Sequence, residues 1–178
     1  MTADPDDLFA CFDQLGIAYR TVSHPPLFTV EQSRMQRGKI PGGHTKNLFL
    51  CDKKGALFLV AALEDAAIDL RTLHRRLSSG RLSFGSAELL RATLGVAPGS
   101  VTPFGVINDT ELRVCVVLDS AMMERPILNY HPLVNTMTTT IGREDLVRFL
   151  TAIGHSPRIE RISQERQGGV PQEGGSVP

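Results

Sequence analysis

Apolar residues recur at helical spacing close to the start of the chain, at Leu8, Phe12 and Leu15. Asp4 ahead of them is a good N-cap, Pro5 suits the first helical position, and Asp6 and Asp7 complement the positive helix end. Gly16 supplies a left-handed stop. Ile17 to Val22 then reads as a short strand, and His24-Pro25-Pro26 as a turn, because two prolines cannot donate to a ladder. Thr29 and Gln32 have capping-box spacing and predict a short helix through Gln36. Gly38 to Gly43 predicts a flexible loop. Asn47 to Cys51 and Leu57 to Leu63 are dense in apolar residues and flank Asp52-Lys53-Lys54-Gly55, the pattern of a β-hairpin.

Helical periodicity returns at Ile68, Leu70, Leu73 and Leu77 and stops at Ser78-Ser79-Gly80. Leu82 to Phe84 has the length of a small strand, and Ser86 can cap a helix that carries Leu89, Leu90 and Leu94 and ends at Gly95. Val96 to Gly105 predicts a Gly/Pro-rich loop. Arg113 to Asp119 predicts a buried strand, and Pro126 to Tyr130 and Thr136 to Ile141 two more, joined by His131 to Asn135. A last helix carries Leu146, Phe149, Leu150 and Ile153, is capped by Gly154, and precedes a closing edge strand at Arg158 to Ile162. Strands and helices alternate irregularly and the hairpin is antiparallel, so the fold class expected is mixed α/β. Residues 1–162 are expected to form one domain. Residues 163–178, rich in Gly, Pro, Gln and Glu, are expected to be a disordered tail.

With 178 residues and 42% apolar content, the chain can bury a core without a disulfide or metal staple. Three cysteines, Cys11, Cys51 and Cys115, lie far apart without C-x-x-C spacing, which disfavours a zinc ribbon, a redox dithiol or a disulfide framework and fits a reducing cytoplasm. No stretch is long and apolar enough to suggest a membrane span, and the acidic start is unlike a signal peptide. Nineteen basic residues balance nineteen acidic ones. The balance is uneven along the chain: residues 31–91 hold eleven Lys and Arg against six Asp and Glu. A basic face of this kind can hold phosphates or simply be a solvated helix surface.

Common catalytic machines are missing: no G-x-S-x-G elbow, no P-loop, no dinucleotide fingerprint, and no H-x-x-x-H pair among the five histidines. Three segments stand out instead. In Gly42-Gly43-His44-Thr45-Lys46-Asn47, a lysine at the mouth of a buried strand can hold phosphate or stabilise an oxyanion; the plain alternative is a snorkelling surface lysine. Gly99-Ser100-Val101-Thr102-Pro103 can aim backbone N–H groups at an anion, or be an ordinary connection. Asn129-Tyr130-His131-Pro132-Leu133-Val134-Asn135-Thr136 sets an imidazole and two carboxamides beside a strand break, where they can position water or an ester, or satisfy loop backbone.

Taken in order, with His24-Pro25-Pro26, Gly43-His44-Thr45-Lys46-Asn47-Leu48-Phe49-Leu50, the G-x-x-x-P loop at Gly99–Pro103 and His131-Pro132-Leu133-Val134-Asn135-Thr136, the chain resembles the YbaK/ProX family of aminoacyl-tRNA editing domains over residues 17–162. Its flanking residues look most like the freestanding ProX branch. The resemblance implies a mixed sheet curled into a partly open barrel surrounded by helices. It also implies hydrolysis of the ester joining a wrong amino acid to the tRNA end, acting in trans on tRNA(Pro). Alanine is the expected amino acid, and cysteine is the alternative. The tRNA's vicinal hydroxyl would help activate water, so no protein nucleophile is needed, in keeping with the failure to find one. No cofactor and no metal are expected.

By the same transfer, Lys46 would hold the terminal adenosine's phosphate or the ester region, and the backbone of Gly99, Ser100, Val101, Thr102 and Pro103 would face the aminoacyl group. His131 and Asn135 would orient substrate or water, with Asn47 and Thr136 binding substrate beside them. Arg81 would read the acceptor stem, and the Thr29–Gly43 segment would gate the site. The aminoacyl-tRNA(Pro) acceptor end is the expected partner, with prolyl-tRNA synthetase as a transient one. A binding module without turnover is the competing expectation from a different class.

Overall fold

The structure, a computed structural model, describes residues 1–27 and 30–164. Helix α1 (Pro5–Gln14) starts as its sequence predicts: Asp4 accepts the Asp7 N–H, and the Asp7 side chain answers to the Asp4 N–H, closing a capping box. Strand β1 (Tyr19–Ser23) and helix α2 (Val30–Arg37) follow. Thr29, the expected cap of α2, lies outside the described residues. Strand β2 (Gly43–Asp52) runs to β3 (Leu57–Leu63) as the predicted hairpin. Asp52 closes its turn by accepting the N–H groups of Lys54 and Ala56, and it also accepts that of Gly80. Three bonds to the ionised form hold its carboxyl below the usual carboxylate range.

Helix α3 (Leu70–Leu77) is capped by Asp69 and ends with Ser78 in the left-handed region. Strand β4 (Leu82–Phe84) and helix α4 (Ala87–Leu94), capped by Ser86 and stopped by Gly95, match their sequence signals. The Val96–Gly105 segment is not loop throughout. Thr102 caps a 3-10 helix over Pro103–Asn108, whose Phe104 and Val106 are buried. Proline fits its first position because the missing N–H has no partner to lose there. Strands β5 (Val114–Asp119), β6 (Ile127–Tyr130) and β7 (Met137–Gly142), helix α5 (Arg143–Ala152) and strand β8 (Arg158–Glu160) complete the chain. Packing extends past the expected boundary at 162: Ser163 is buried and the Gln164 N–H donates to Ala67 O. The remainder of the expected tail, residues 165–178, lies outside the described residues.

The eight strands form one open mixed sheet in the order β1-β7-β6-β2-β3-β5-β8, with β4 beside β2. It is surrounded by helices, as the mixed α/β expectation has it. One sheet face carries the larger core. There Phe12 meets the rings of Tyr19, Phe104 and Phe149 at 5.2, 5.2 and 5.1 Å between centroids. A ring packed in this way contributes about 3–5 kcal/mol relative to alanine. A smaller core of Leu50, Phe58, Val60, Leu73 and Leu77 seats α3 on the other face.

Strand β2 organises the site. Antiparallel β3 runs along one edge from Thr45 to Cys51. Two strands share the other edge: parallel β6 pairs only at Gly43 and His44, and antiparallel β4 pairs at Leu50 to Asp52. Between them β2 and β6 diverge, and backbone groups that a ladder would satisfy need other partners. The expected Gly38–Gly43 loop ends inside the sheet, because Gly43 already pairs with Leu128.

Candidate functional site

A cleft of about 150 Å³ opens where β2 and β6 part. Strand alternation places Thr45 and Asn47 on its side of β2, with His44 at its edge. Strand β6 contributes Asn129, Tyr130 and His131, β7 contributes Thr138, and Leu27, Ile40 and Glu64 close the walls. The missing ladder bonds are replaced by side chains. Thr45 Oγ1 donates to Asn129 O (2.8 Å), and buried Asn129 donates through Nδ2 to Pro41 O (3.0 Å) while its Oδ1 accepts from the Thr140 hydroxyl. His44 Nε2 donates to Ile40 O at 3.0 Å. The 38–42 loop is thereby tied to both strands, and Gly42 at φ +108° lets it pass within contact of Asn129 and Ile127.

The His131 ring in the cleft wall packs against the buried ring of His24, with centroids 6.1 Å apart. His131 Nδ1 donates to Met137 O at 2.8 Å, so in the neutral ring Nε2 carries the lone pair. Burial pulls the His131 pKa below the ordinary histidine value. Nearby His24 adds to this, and the Met137 carbonyl opposes it. The ring is held neutral around pH 7, in a form able to accept a proton. His24 bridges Pro25 O through Nδ1 and the Thr138 hydroxyl through Nε2. Asn47 Oδ1 is buried without a hydrogen-bond partner. A buried acceptor left unpaired in a polar cleft is a place for a ligand donor or a water. Among the described residues, no serine or cysteine lines the cleft.

A family model described as the aminoacyl-tRNA editing domain matches residues 24–149, from the end of β1 into the last helix. The chain belongs to that family. This editing domain is 37% identical over 150 residues to the prolyl-tRNA editing protein ProX of Acetoanaerobium sticklandii, a match covering 84% of this chain and 92% of that protein. It is 38% identical over 148 residues to the prolyl-tRNA synthetase associated domain-containing protein 1 of Danio rerio, covering 82% of this chain and 80% of that one. A solved structure of a protein proposed as a trans-editing enzyme for prolyl tRNA synthetase superposes with a TM-score of 0.71 at 17% identity, over 93% of this chain and 99% of the other. That likeness shows the shared fold. Membership makes the chain an aminoacyl-tRNA deacylase, a hydrolase of the ester between an amino acid and tRNA.

Of the residues singled out in the sequence of this editing domain, Asn47, Asn129 and His131 line the cleft. Lys46 does not: it points to the opposite face of β2 from Thr45 and Asn47, half-buried, and its amine donates to Ala66 O in the β3–α3 connection. Gly99 to Pro103 are not among the lining residues either. Gly99 is exposed at φ +91°, the Ser100 N–H donates to Ala97 O (3.0 Å), and Thr102 accepts the Phe104 and Gly105 N–H groups, so part of that loop's donor set is used internally. Asn135 is half-buried and Thr136 exposed in the β6–β7 connection, where Thr136 O accepts the His24 N–H. Arg81 lines a separate hollow with Leu70, Arg71, His74 and Leu82 on the α3 side.

Sequence reasoning passed over His24, Thr45, Glu64 and Thr138 as site residues. His24 read as part of a turn and Thr138 as a strand position. Only the pairing of β1 with β7 brings the two together. Among the described residues, no group of three or more His, Cys, Asp or Glu side chains is placed to hold a metal ion, and no helix is long and apolar enough to cross a membrane.

Proposed function

We propose that this editing domain acts in trans on mischarged tRNA(Pro) and that its principal substrate is alanyl-tRNA(Pro). The observation that carries the reading is a small polar cleft that offers a neutral imidazole and an unpaired carboxamide oxygen but no serine or cysteine nucleophile. The names of the relatives, prolyl-tRNA editing and prolyl-tRNA synthetase associated, supply the tRNA. An aminoacyl ester is already activated, so positioning water and stabilising charge are enough for its hydrolysis.

In this reading His131 and Asn47 meet the aminoacyl ester, and the vicinal ribose hydroxyl helps activate the water. Lys46 exchanges its bond to Ala66 O for the terminal adenosine's phosphate. The backbone from Gly99 to Pro103 approaches the aminoacyl group from beyond the cleft wall, and Asn135 and Thr136 hold the β6–β7 connection against the substrate. Arg81, beside Arg71 and His74, contacts the acceptor stem, where a guanidinium bonds a phosphate or a guanine edge.

Side-chain size is what favours alanine. A synthetase pocket shaped for proline rejects a smaller side chain weakly, since a methylene is worth about 1–3 kcal/mol, and a second, smaller chamber completes the sieve. The test is deacylation of alanyl-, cysteinyl- and prolyl-tRNA(Pro) side by side at equal enzyme. Rapid loss of alanine alone is expected. A preference for cysteine reassigns the substrate, and binding without acceleration of any of the three makes the chain a binding module.

A further inference from the structure

We infer that His24 is a positioning residue of the deacylation site, fixing the Thr138 hydroxyl so that Thr138 Oγ1 and His131 Nε2 together hold the attacking water. The inference rests on the cleft being the place of ester hydrolysis. Its support is the direction of four hydrogen bonds. A carbonyl oxygen only accepts, so His131 Nδ1 carries the hydrogen given to Met137 O, and His24 Nδ1 carries the one given to Pro25 O at 2.9 Å. In each neutral ring the lone pair then sits on Nε2. His24 Nε2, 2.8 Å from Thr138 Oγ1, therefore accepts a hydrogen bond from the Thr138 hydroxyl. The His24 N–H to Thr136 O bond, 2.9 Å, anchors the backbone beneath this arrangement.

The result is a hydroxyl that cannot choose. A free threonine hydroxyl turns to donate or accept as its neighbour requires. Here the hydroxyl hydrogen is directed at His24, and the oxygen has only its lone pairs left to offer. His24 and Thr138 are both buried, at 7% and 8% exposure, so water does not compete for that bond. Both Thr138 and His131 line the cleft. A water that gives one hydrogen to each of two acceptors has its own lone pair directed away from them, toward a carbonyl carbon in the cleft. Without His24, the Thr138 hydroxyl is free to donate to that water and engage the lone pair the reaction needs.

In the step itself, with the vicinal ribose hydroxyl helping to hold the water, the water oxygen bonds to the ester carbonyl carbon and the water proton that faces His131 passes to its Nε2. The tetrahedral adduct then collapses: the bond from the carbonyl carbon to the ribose oxygen breaks, and the proton on His131 passes to that oxygen. The products are the free amino acid and the uncharged tRNA end, and neutral His131 is restored.

The test is a double-mutant cycle on single-turnover release of alanine from alanyl-tRNA(Pro), with rate constant and half-saturating enzyme concentration measured for each protein and folding checked by thermal melts. Thr138→Val and His24→Ala are each expected to lower the rate constant about tenfold, the worth of one hydrogen bond to a neutral group, with half-saturation unchanged. The His24→Ala/Thr138→Val double variant is expected to be no slower than either single variant, because both remove the same device. His24→Gln, whose side-chain oxygen can accept the threonine proton, is expected to recover most of the rate. Losses that multiply to about a hundredfold in the double variant overturn the inference. So does a His24→Gln protein as slow as His24→Ala, or an effect confined to half-saturation. If the wild-type protein releases alanine no faster than buffer, the deacylase reading fails first and the inference falls with it.

Discussion

Gly42 is where the fold and the cleft constrain each other, and replacing it by alanine reads both at once. Its φ of +108° lies where side chains are rarely tolerated, and an added Cβ would stand 3.0 Å from Asn129 Nδ2, 3.0 Å from Ile127 Cγ1 and 3.2 Å from Ile127 O. The backbone strain alone costs about 1–3 kcal/mol. Displacing Asn129 Nδ2 also breaks its bond to Pro41 O, worth about 1 kcal/mol. The sum is about 2–4 kcal/mol, and at about 2–4 °C per kcal/mol for a chain of this size it lowers Tm by about 4–16 °C. If the 38–42 loop moves to relieve the strain, it takes the Ile40 wall out of the cleft, and half-saturation by alanyl-tRNA(Pro) rises instead. Calorimetry and single-turnover deacylation on Gly42→Ala distinguish the two routes. A variant with both Tm and half-saturation unchanged would falsify the idea that this glycine fastens the loop to β6.

Lys46→Ala should keep its fold, since the amine makes one surface-side bond to Ala66 O, yet lose on the order of a hundredfold in deacylation if the amine holds the substrate end. Arg81→Ala should leave the single-turnover rate constant intact while weakening tRNA binding and flattening its salt dependence by about one unit of slope; the opposite pattern in either variant removes its assigned role. Stability should also fall as pH drops below about 6.5, the ordinary histidine value. His155 is buried and His131 half-buried, and both have pKa values lowered mainly by desolvation, which the Asp109 carboxylate beside His155 only partly opposes. The unfolded chain then binds protons that the folded chain does not, so stability is full above that pH and is lost below it, by up to about 1.4 kcal/mol per pH unit for each ring. Denaturant titrations at pH 7 and 5.5 check this, and a His155→Asn variant with an undiminished slope would show that this ring is not responsible.

Much of the fold is legible in local signals. Asp4 with Pro5, Ser86 with Gly95, and the apolar runs on either side of Asp52–Gly55 predict α1, α4 and the β2–β3 hairpin, because caps and turns act within a few residues. The 3-10 helix after Thr102 was hidden by its glycine and prolines, which read equally well as loop. The start of β2 at Gly43 depends on a strand more than eighty residues away, which no local pattern reports. The site divides along the same line. His131 and Asn47 are marked by a strand break and by a motif, whereas His24 and Thr138 become partners only through the β1–β7 register. Lys46 was marked by its motif, but its direction was not legible: alternation along β2 turns it away from the cleft its two neighbours line.

In the proposed function the aminoacyl group enters the cleft between β2, β6 and β7. The most direct measurement is the change in backbone amide NMR shifts when the protein binds a tRNA(Pro) acceptor-stem helix carrying alanine through a non-hydrolysable amide, compared with the same helix uncharged. The account predicts that the alanine-dependent changes centre on Asn47, Asn129, His131 and Thr138. Alanine-dependent changes that spare those four residues and cluster instead at Arg143, Val147 and Ile159, around a second hollow beside α5, would contradict it.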